Sequence, residues 1–308
     1  MTIAAPPPPA AAPAGPAARG AGLVLAAAVV WSAGGLFVRL LGSLDPWTVV
    51  FWRSAFAAAF LAGFAAARSG PRRLPAAFRA IGLPGLAVAA CFAVASTAFV
   101  VALGHTTVAN VLLVQAGVPL LAALLARLVL GERIAGPTWA AIAVTLVGVA
   151  VMVSPSLGGT ASPVGDLLAL TIAVAYATAT VVTRRFARVR MTPAAGLGAA
   201  LAGGFAATRA AGLYAAPGAG FAVTPAELAL LAGFGALSFG LGLALFVTGA
   251  RLLPAATAAL IGVAETVLGP LWVWLAWGET PAARTLIGGG IVLAALVAHL
   301  AWTRAAAR

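Results

Sequence analysis

The chain has 308 residues, 63% of them hydrophobic and 8% charged, with a mean hydropathy of +1.10. A water-soluble chain of this composition would have too little polar surface to stay dissolved, so its solvent is lipid. A net charge of +12 would elsewhere suggest nucleic acid, but every basic residue is an arginine, and the arginines gather in short loops between apolar runs; that is a topology signal. Exclusive use of arginine is the codon habit of a GC-rich bacterial genome. The single cysteine, Cys91, excludes an intrachain disulfide and leaves the redox compartment open.

Residues 1–19, rich in proline and alanine with Arg19 as their only charge, cannot bury apolar surface and read as a disordered cytoplasmic tail. A cleavable secretory signal is the weaker reading, because the first apolar run is longer than a usual signal core and follows a long uncharged stretch. From there to Trp302 the chain is a series of apolar runs of about twenty residues, the length that crosses a hydrocarbon core about 30 Å thick. Period-two alternation is absent, which excludes a barrel. Ten spans are predicted: 20–41, 46–67, 80–103, 107–130, 136–153, 164–183, 193–214, 226–249, 254–277 and 282–302. The seventh is the weakest, being rich in glycine and alanine and carrying Arg209 near its end. An interfacial or tilted helix is an alternative there.

With the amino terminus in the cytoplasm, Arg68, Arg72, Arg73, Arg79, Arg133, Arg184, Arg185, Arg188, Arg190, Arg251, Arg304 and Arg308 all fall in cytoplasmic loops or the tail. The outer loops hold Asp45, His105, Glu227 and Glu279, with Arg284 as the exception. Both termini are therefore predicted inside.

The chain repeats. Gly131-Glu132 and Gly278-Glu279 stand 147 residues apart, so the fourth and ninth spans correspond. Five spans per copy is an odd number, which makes the copies insert with opposite orientation, as two inverted repeats. Residues 20–153 form the first five-helix repeat and 164–302 the second, divided by the turn-rich outer loop SPSLGGTASP at 154–163. The fold class predicted is all-α integral membrane, ten transmembrane helices as two inverted five-helix repeats.

WSAGGLFVRLL (31–41), FWRSAFAA (51–58) and ALGHTTVANVLLVQAGVPLLAALLARLVLGER (102–133) in the first half, with VGDLLALTIAVAYATATVVTRR (164–185) and ALIGVAETVLGPLWVWLAWGE (259–279) in the second, resemble the EamA-type family of the drug/metabolite transporter superfamily. The resemblance spans about residues 20–302. It implies two interleaved repeats around a central cavity and secondary active transport of a small organic metabolite or drug-like solute by alternating access. Efflux across the bacterial inner membrane, driven by protons or a substrate gradient, is the expected direction. Family substrates run from amino acids and small metabolites to nucleotide sugars and drugs, so the family alone names none of them. A non-transporting membrane scaffold or receptor is the alternative, and a homodimer is one candidate assembly. No cofactor is expected.

Glu265 is the sharpest candidate. It lies near the middle of the ninth span, where an ionised carboxylate costs roughly 2.5–3.5 kcal/mol and usually marks an ion or substrate path. Reversible protonation there would couple protons to transport; a neutral acid bonded to a neighbouring helix is the plain alternative. Trp272, seven residues on, shares its face at helical spacing. Arg53, two turns inside the second span, matches the second-helix arginine of the family and is suited to an anionic substrate group. Snorkelling to the outer headgroups explains it equally well, and Arg39 reads as such an anchor.

Asn110 and Gln115, about 140° apart around the fourth helix, cannot both centre on the cavity, and Asn110 is favoured for it. Trp31, Tyr176 and Thr180 complete the predicted lining, with Ser32, Ser96, Thr97 and Ser238 as further candidates, although helix packing accounts for each as readily. Pro119 and Pro270 interrupt the two equivalent helices and are predicted hinges.

Other chemistries fare poorly. GFGALSFGLG (233–242) resembles a phosphate-cradling loop only in glycine content, and close helix packing is the better reading. His105 and His299 sit at opposite membrane faces, so no metal site is expected. Gly165-Asp166 lacks a second intramembrane aspartate, because Asp45 falls in an outer loop, and an aspartyl protease is set aside. Glu132 and Glu279 end equivalent helices, where pairing with Arg133 or Arg284 offsets the unfavourable helix dipole.

Overall fold

The structure, a computed structural model, describes residues 15–103, 105–106, 108–154, 162–212, 220–278 and 282–306. Glu279, the tail through residue 14 and most of the loop at 154–163 lie outside them. The described residues form fifteen α-helices and no strand. In chain order these are α1 (Pro16–Ser32), α2 (Gly34–Leu40), α3 (Pro46–Ser69), α4 (Leu74–Ala80), α5 (Gly82–Leu103), α6 (Val108–Gln115), α7 (Val118–Leu130), α8 (Gly136–Val153) and α9 (Pro163–Arg185). The series continues with α10 (Thr192–Ala210), α11 (Pro225–Ala232), a π-helical segment (Gly233–Leu241), α12 (Gly242–Ala250), α13 (Ala255–Gly262), α14 (Ala264–Trp277) and α15 (Ala283–Ala306). Residues 16–19, predicted as part of a disordered tail, are the first turn of α1.

Among the described residues, nine helical stretches are long and apolar enough to cross a membrane. The stretch that misses this standard is α10, the predicted seventh span. Twelve of its nineteen residues are alanine or glycine, which keeps its hydropathy low. The same small side chains let it sink between α3 and α5. A Cβ on Gly198 would stand 2.8 Å from the Ala89 carbonyl oxygen, and one on Gly203 3.2 Å from Ser54 Cβ. Close backbone approach of this kind replaces the hydrophobic effect as the packing force between helices in lipid.

Helix ends follow local chemistry. Asp45 caps α3 by accepting from the Trp47 and Thr48 amides at 2.8 and 3.3 Å, with Pro46 in the first turn. Thr224 and Glu227 form a capping box on α11. The glycines of the duplicated Gly-Glu pairs have the same task in both halves. Gly131 (φ 66°) ends α7 and Gly278 (φ 70°) ends α14 in the left-handed region, where glycine carries no Cβ penalty.

The packing follows the sequence repeat. α3 packs on α10 and α8 on α15, each joining an element to its counterpart in the other half. α1 packs on α12 as α5 packs on α9; α14 and α13 pack on α1 as α7 and α6 pack on α9; the π segment packs on α3 as α5 packs on α10. Exchanging the halves maps these pairs onto one another, whereas α7 packs on α13, the counterpart of α6.

Four predicted spans are broken or distorted. The first is interrupted at Ala33 between α1 and α2, and the eighth contains the π segment. The fourth breaks at residues 116–117 and the ninth at Val263. These last two breaks coincide under the 147-residue offset.

Candidate functional site

The break in the fourth span has a simple cause. Pro119 has no N–H to give the Gln115 carbonyl, and Gly117 turns the chain with a tighter bond from its amide to the Val114 carbonyl at 3.0 Å. At the ninth span no proline is near enough to act. The Val263 amide reaches the Leu260 carbonyl at 3.2 Å and the Thr266 amide the Val263 carbonyl at 3.0 Å, so the turn tightens locally. Pro270, predicted as the hinge, sits inside an uninterrupted α14, seven residues beyond the break. Pro119 lies two residues after its break.

Glu265 is the second residue of α14, directly after the Val263 break. Val263 and Ala264 before it are buried, whereas its own side chain is exposed. Its carboxyl lies within electrostatic range of Tyr176 of α9. The first-turn position also places it where the helix dipole favours negative charge.

Below Tyr176 the bundle is closed by aromatic packing. Trp31 of α1 meets Tyr176 edge-on at 6.1 Å and Phe246 of α12 at 5.3 Å; Tyr176 lies 5.1 Å from Phe246 and 6.4 Å from Phe92 of α5. Gly242 leaves the room that the Trp31 indole occupies. The Trp31 Nε1 is buried with no hydrogen-bond partner, an unspent donor beside the Tyr176 ring. Thr180 is fully buried and donates to the Tyr176 carbonyl of its own helix at 2.8 Å, so its hydroxyl is already committed.

Arg53 points inward. Its Nη2 donates to Ser96 Oγ of α5 at 2.6 Å, and its guanidinium lies 4.4 Å from the Phe239 ring centre and 5.4 Å from that of Phe234. Both phenylalanines belong to the π segment, which comes close because Gly235 faces the Arg53 carbonyl and Phe56 without a side chain. Arg53 Nε is buried without a partner. The snorkelling alternative is thereby settled: the side chain occupies an aromatic box between α3, α5 and the π segment. The glycine-rich segment is a packing device, as its apolar setting implied.

Trp272 joins α14 to α1 through Nε1 donating to Ser32 Oγ at 2.8 Å. Ser32 Oγ itself donates to the Val29 carbonyl at 2.6 Å, and Ser238 donates to the Val30 carbonyl at 3.2 Å. These two hydroxyls satisfy carbonyls at the end of α1, where the Ala33 break begins. Asn110 departs from its predicted place. Its amide bonds Thr106 Oγ1 at 3.0 Å and Asp166 Oδ1, tying α6 to the first turn of α9.

At the arginine-rich end, Arg184 Nε meets Glu132 Oε1 at 3.1 Å and its Nη1 the Arg251 carbonyl at 3.2 Å. Arg185 donates to the Val129 carbonyl at 2.9 Å. The ends of α7, α9 and α12 are thus fastened together. Sequence spacing pointed to Arg133 as the partner of Glu132; Arg184 from the other half takes that place. No cluster of metal-ligating side chains occurs among the described residues.

Residues 18–154 and again 163–300 match the EamA-like transporter family. No curated protein matches the chain. Among solved structures, one described as "Crystal structure of protein" superposes with a TM-score of 0.75 at 22% identity, covering 92% of this chain and 98% of that one. That likeness supports the fold alone. Two successive family matches, one on each half of the duplicated bundle, establish that this multi-pass membrane protein belongs to the EamA-like transporter family of the drug/metabolite transporter superfamily.

Proposed function

We propose that the protein is a secondary active transporter that moves a small organic solute across the bacterial inner membrane by alternating access, in the efflux direction. Ten spans form two inverted five-helix repeats, with α10 as the seventh and both termini cytoplasmic. The observation that carries the reading is the placement of Glu265: an exposed carboxyl within electrostatic range of Tyr176, on the first turn after a helix break that recurs at the equivalent position of the other half. A broken helix presents free backbone groups and a helix terminus to a cavity, and transporters use such half-helices to hold their cargo.

Glu265 and Tyr176 form the polar wall of the substrate site, and Trp31 offers its unpartnered N–H beside them. Arg53 supplies positive charge from its aromatic box, and Trp272 fixes α14 against α1. Proton exchange at Glu265 couples transport to the proton gradient. The fastening of α7, α9 and α12 through Arg184 and Glu132 is the contact that alternating access would make and break at the cytoplasmic end.

The test is flux. Metabolite profiling of a deletion strain against an overexpressing one selects candidates, and counterflow in proteoliposomes then measures saturable exchange. Absence of saturable flux for every candidate that differs between the strains would sink the reading and leave a scaffold. For orientation, single cysteines in the 186–190 and 154–163 loops of a Cys91→Ala background are treated with an impermeant maleimide on intact cells. Labelling of the outer loop alone is expected, and labelling of the arginine loop reverses the topology.

A further inference from the structure

A cavity of about 1000 Å³ opens at the arginine-rich end, away from Glu265, between the start of α1, the end of α3, α4, the loop before α10 and the end of α12. Arg19, Arg68, Arg73, Arg188, Arg190 and Arg251 line it, and no acidic residue does. They come from both halves of the chain.

Loop arginines on one side accompany any bacterial membrane protein of this kind, but that rule gives no reason for them to converge. Arg72, Arg79, Arg133 and Arg185 belong to the same set of loops and stay outside the cavity. The six that enter it repel one another around one hollow, without a carboxylate to relieve them. Arg251 is half-buried there, with its Nε unpartnered and its Nη1 3.5 Å from the Ala187 carbonyl. Arg68 lies over the Phe64 ring at 5.4 Å from its centre, which keeps its guanidinium beside the wall. Phe64, Val247 and Leu252 make that wall apolar.

We propose that this cavity is a binding site for a phosphate-bearing anion with an apolar attachment. Guanidinium forks match phosphate oxygens two at a time, and a volume near 1000 Å³ is at the upper end of the range of small-molecule sites. A phosphorylated metabolite and the headgroup of an anionic phospholipid share this chemistry. The proposal does not depend on transport, and its test reads binding alone.

The full chain is purified into nanodiscs of phosphatidylcholine. Inorganic pyrophosphate is titrated by calorimetry in one arm, and in the other the retention of phosphatidylglycerol is counted by native mass spectrometry. Saturable binding of pyrophosphate assigns a soluble ligand; selective retention of phosphatidylglycerol without pyrophosphate binding assigns the headgroup. In either case Arg73→Gln with Arg188→Gln is expected to weaken binding about tenfold or more. The control pair Arg72→Gln with Arg133→Gln removes the same charge outside the cavity and is expected to change it by less than about twofold. All four side chains are exposed, so folding survives in both pairs, which gel filtration checks. Binding of neither probe, or equal losses in the two pairs, overturns the proposal in favour of diffuse surface charge.

Discussion

Arg53→Lys separates charge from geometry at the inner end of the aromatic box. Lysine keeps the positive charge but has no planar fork to hold Ser96 Oγ at 2.6 Å while lying 4.4 Å from the Phe239 ring centre. A hydrogen bond from a charged donor contributes roughly 1.5–3 kcal/mol, and a guanidinium over a ring roughly 0.5–2 kcal/mol. An ammonium can retain one of the two contacts, so a net loss of about 0.5–3 kcal/mol is expected, which is roughly twofold to a hundredfold in an equilibrium. Where that loss appears tells what Arg53 does. If it holds an anionic group of the solute, proteoliposome counterflow shows KM raised by about that factor for anionic solutes and nearly unchanged for neutral ones. If it only clamps α3 to α5 and the π segment, the loss falls on thermal unfolding in detergent, and Ser96→Ala adds little on top of it. A mutant that matches the wild type in both assays would refute the reasoning, because the contacts would then carry no free energy at all.

Glu265→Gln mimics the protonated carboxyl at nearly constant volume; the variant is expected to fold and exchange solute passively while losing its response to an imposed pH gradient, and full pH-driven accumulation returns Glu265 to a packing role. Glu132→Gln weakens the ion pair to Arg184, so cysteines placed near the ends of α7 and α12 are expected to gain reactivity from the cytoplasmic side by about fivefold, as roughly 1 kcal/mol predicts for a half-exposed pair; unchanged reactivity means that the pair does not hold that end closed. Gly288→Ala puts a Cβ 2.5 Å from the Met152 amide nitrogen and against the Gly148 carbonyl. Backbone cannot move aside cheaply, so α8 and α15 separate at a cost of about 1–3 kcal/mol, seen as lower thermal stability. Gly290→Ala, with nothing within 4 Å, is the matched control and leaves stability equal or higher.

The spans were legible because apolar length is a one-dimensional property. Each predicted span has a helix at its place, most with ends displaced by a few residues, and the Gly-Glu repeat marked two left-handed caps. The break before Pro119 was legible for the same reason: proline acts on the carbonyl four residues upstream in its own chain. The Val263 break was not, since no residue type there forbids a continuous helix, and Pro270 drew attention to the wrong turn. Arg53 was visible as a buried-charge candidate, but its direction depends on Phe239 and Ser96, which stand far away in sequence. Asn110 failed for the opposite reason. Its polarity signalled a partner, and nothing in the fourth span could reveal that the partner is Asp166 at the start of α9.

The two halves agree in mechanics and differ in chemistry. Both keep a break at the same offset, a Gly cap at the end of the broken helix, and several equivalent packed neighbours. The position equivalent to Glu265 under the 147-residue offset is Val118, which is 5% exposed and packed among Ala122, Ala173, Ala177 and Ala259. A carboxylate needed for the fold would be expected wherever the broken helix recurs, because the backbone demands of a break are the same in each copy. Only one copy carries it. Helix breaking is therefore satisfied by backbone geometry and small residues alone, and the acid at 265 is an addition to that architecture, placed where its side chain meets open space rather than packed alanines. This asymmetry, more than the depth of the residue in the membrane, is the argument for a chemical role at Glu265 and a packing role at Val118.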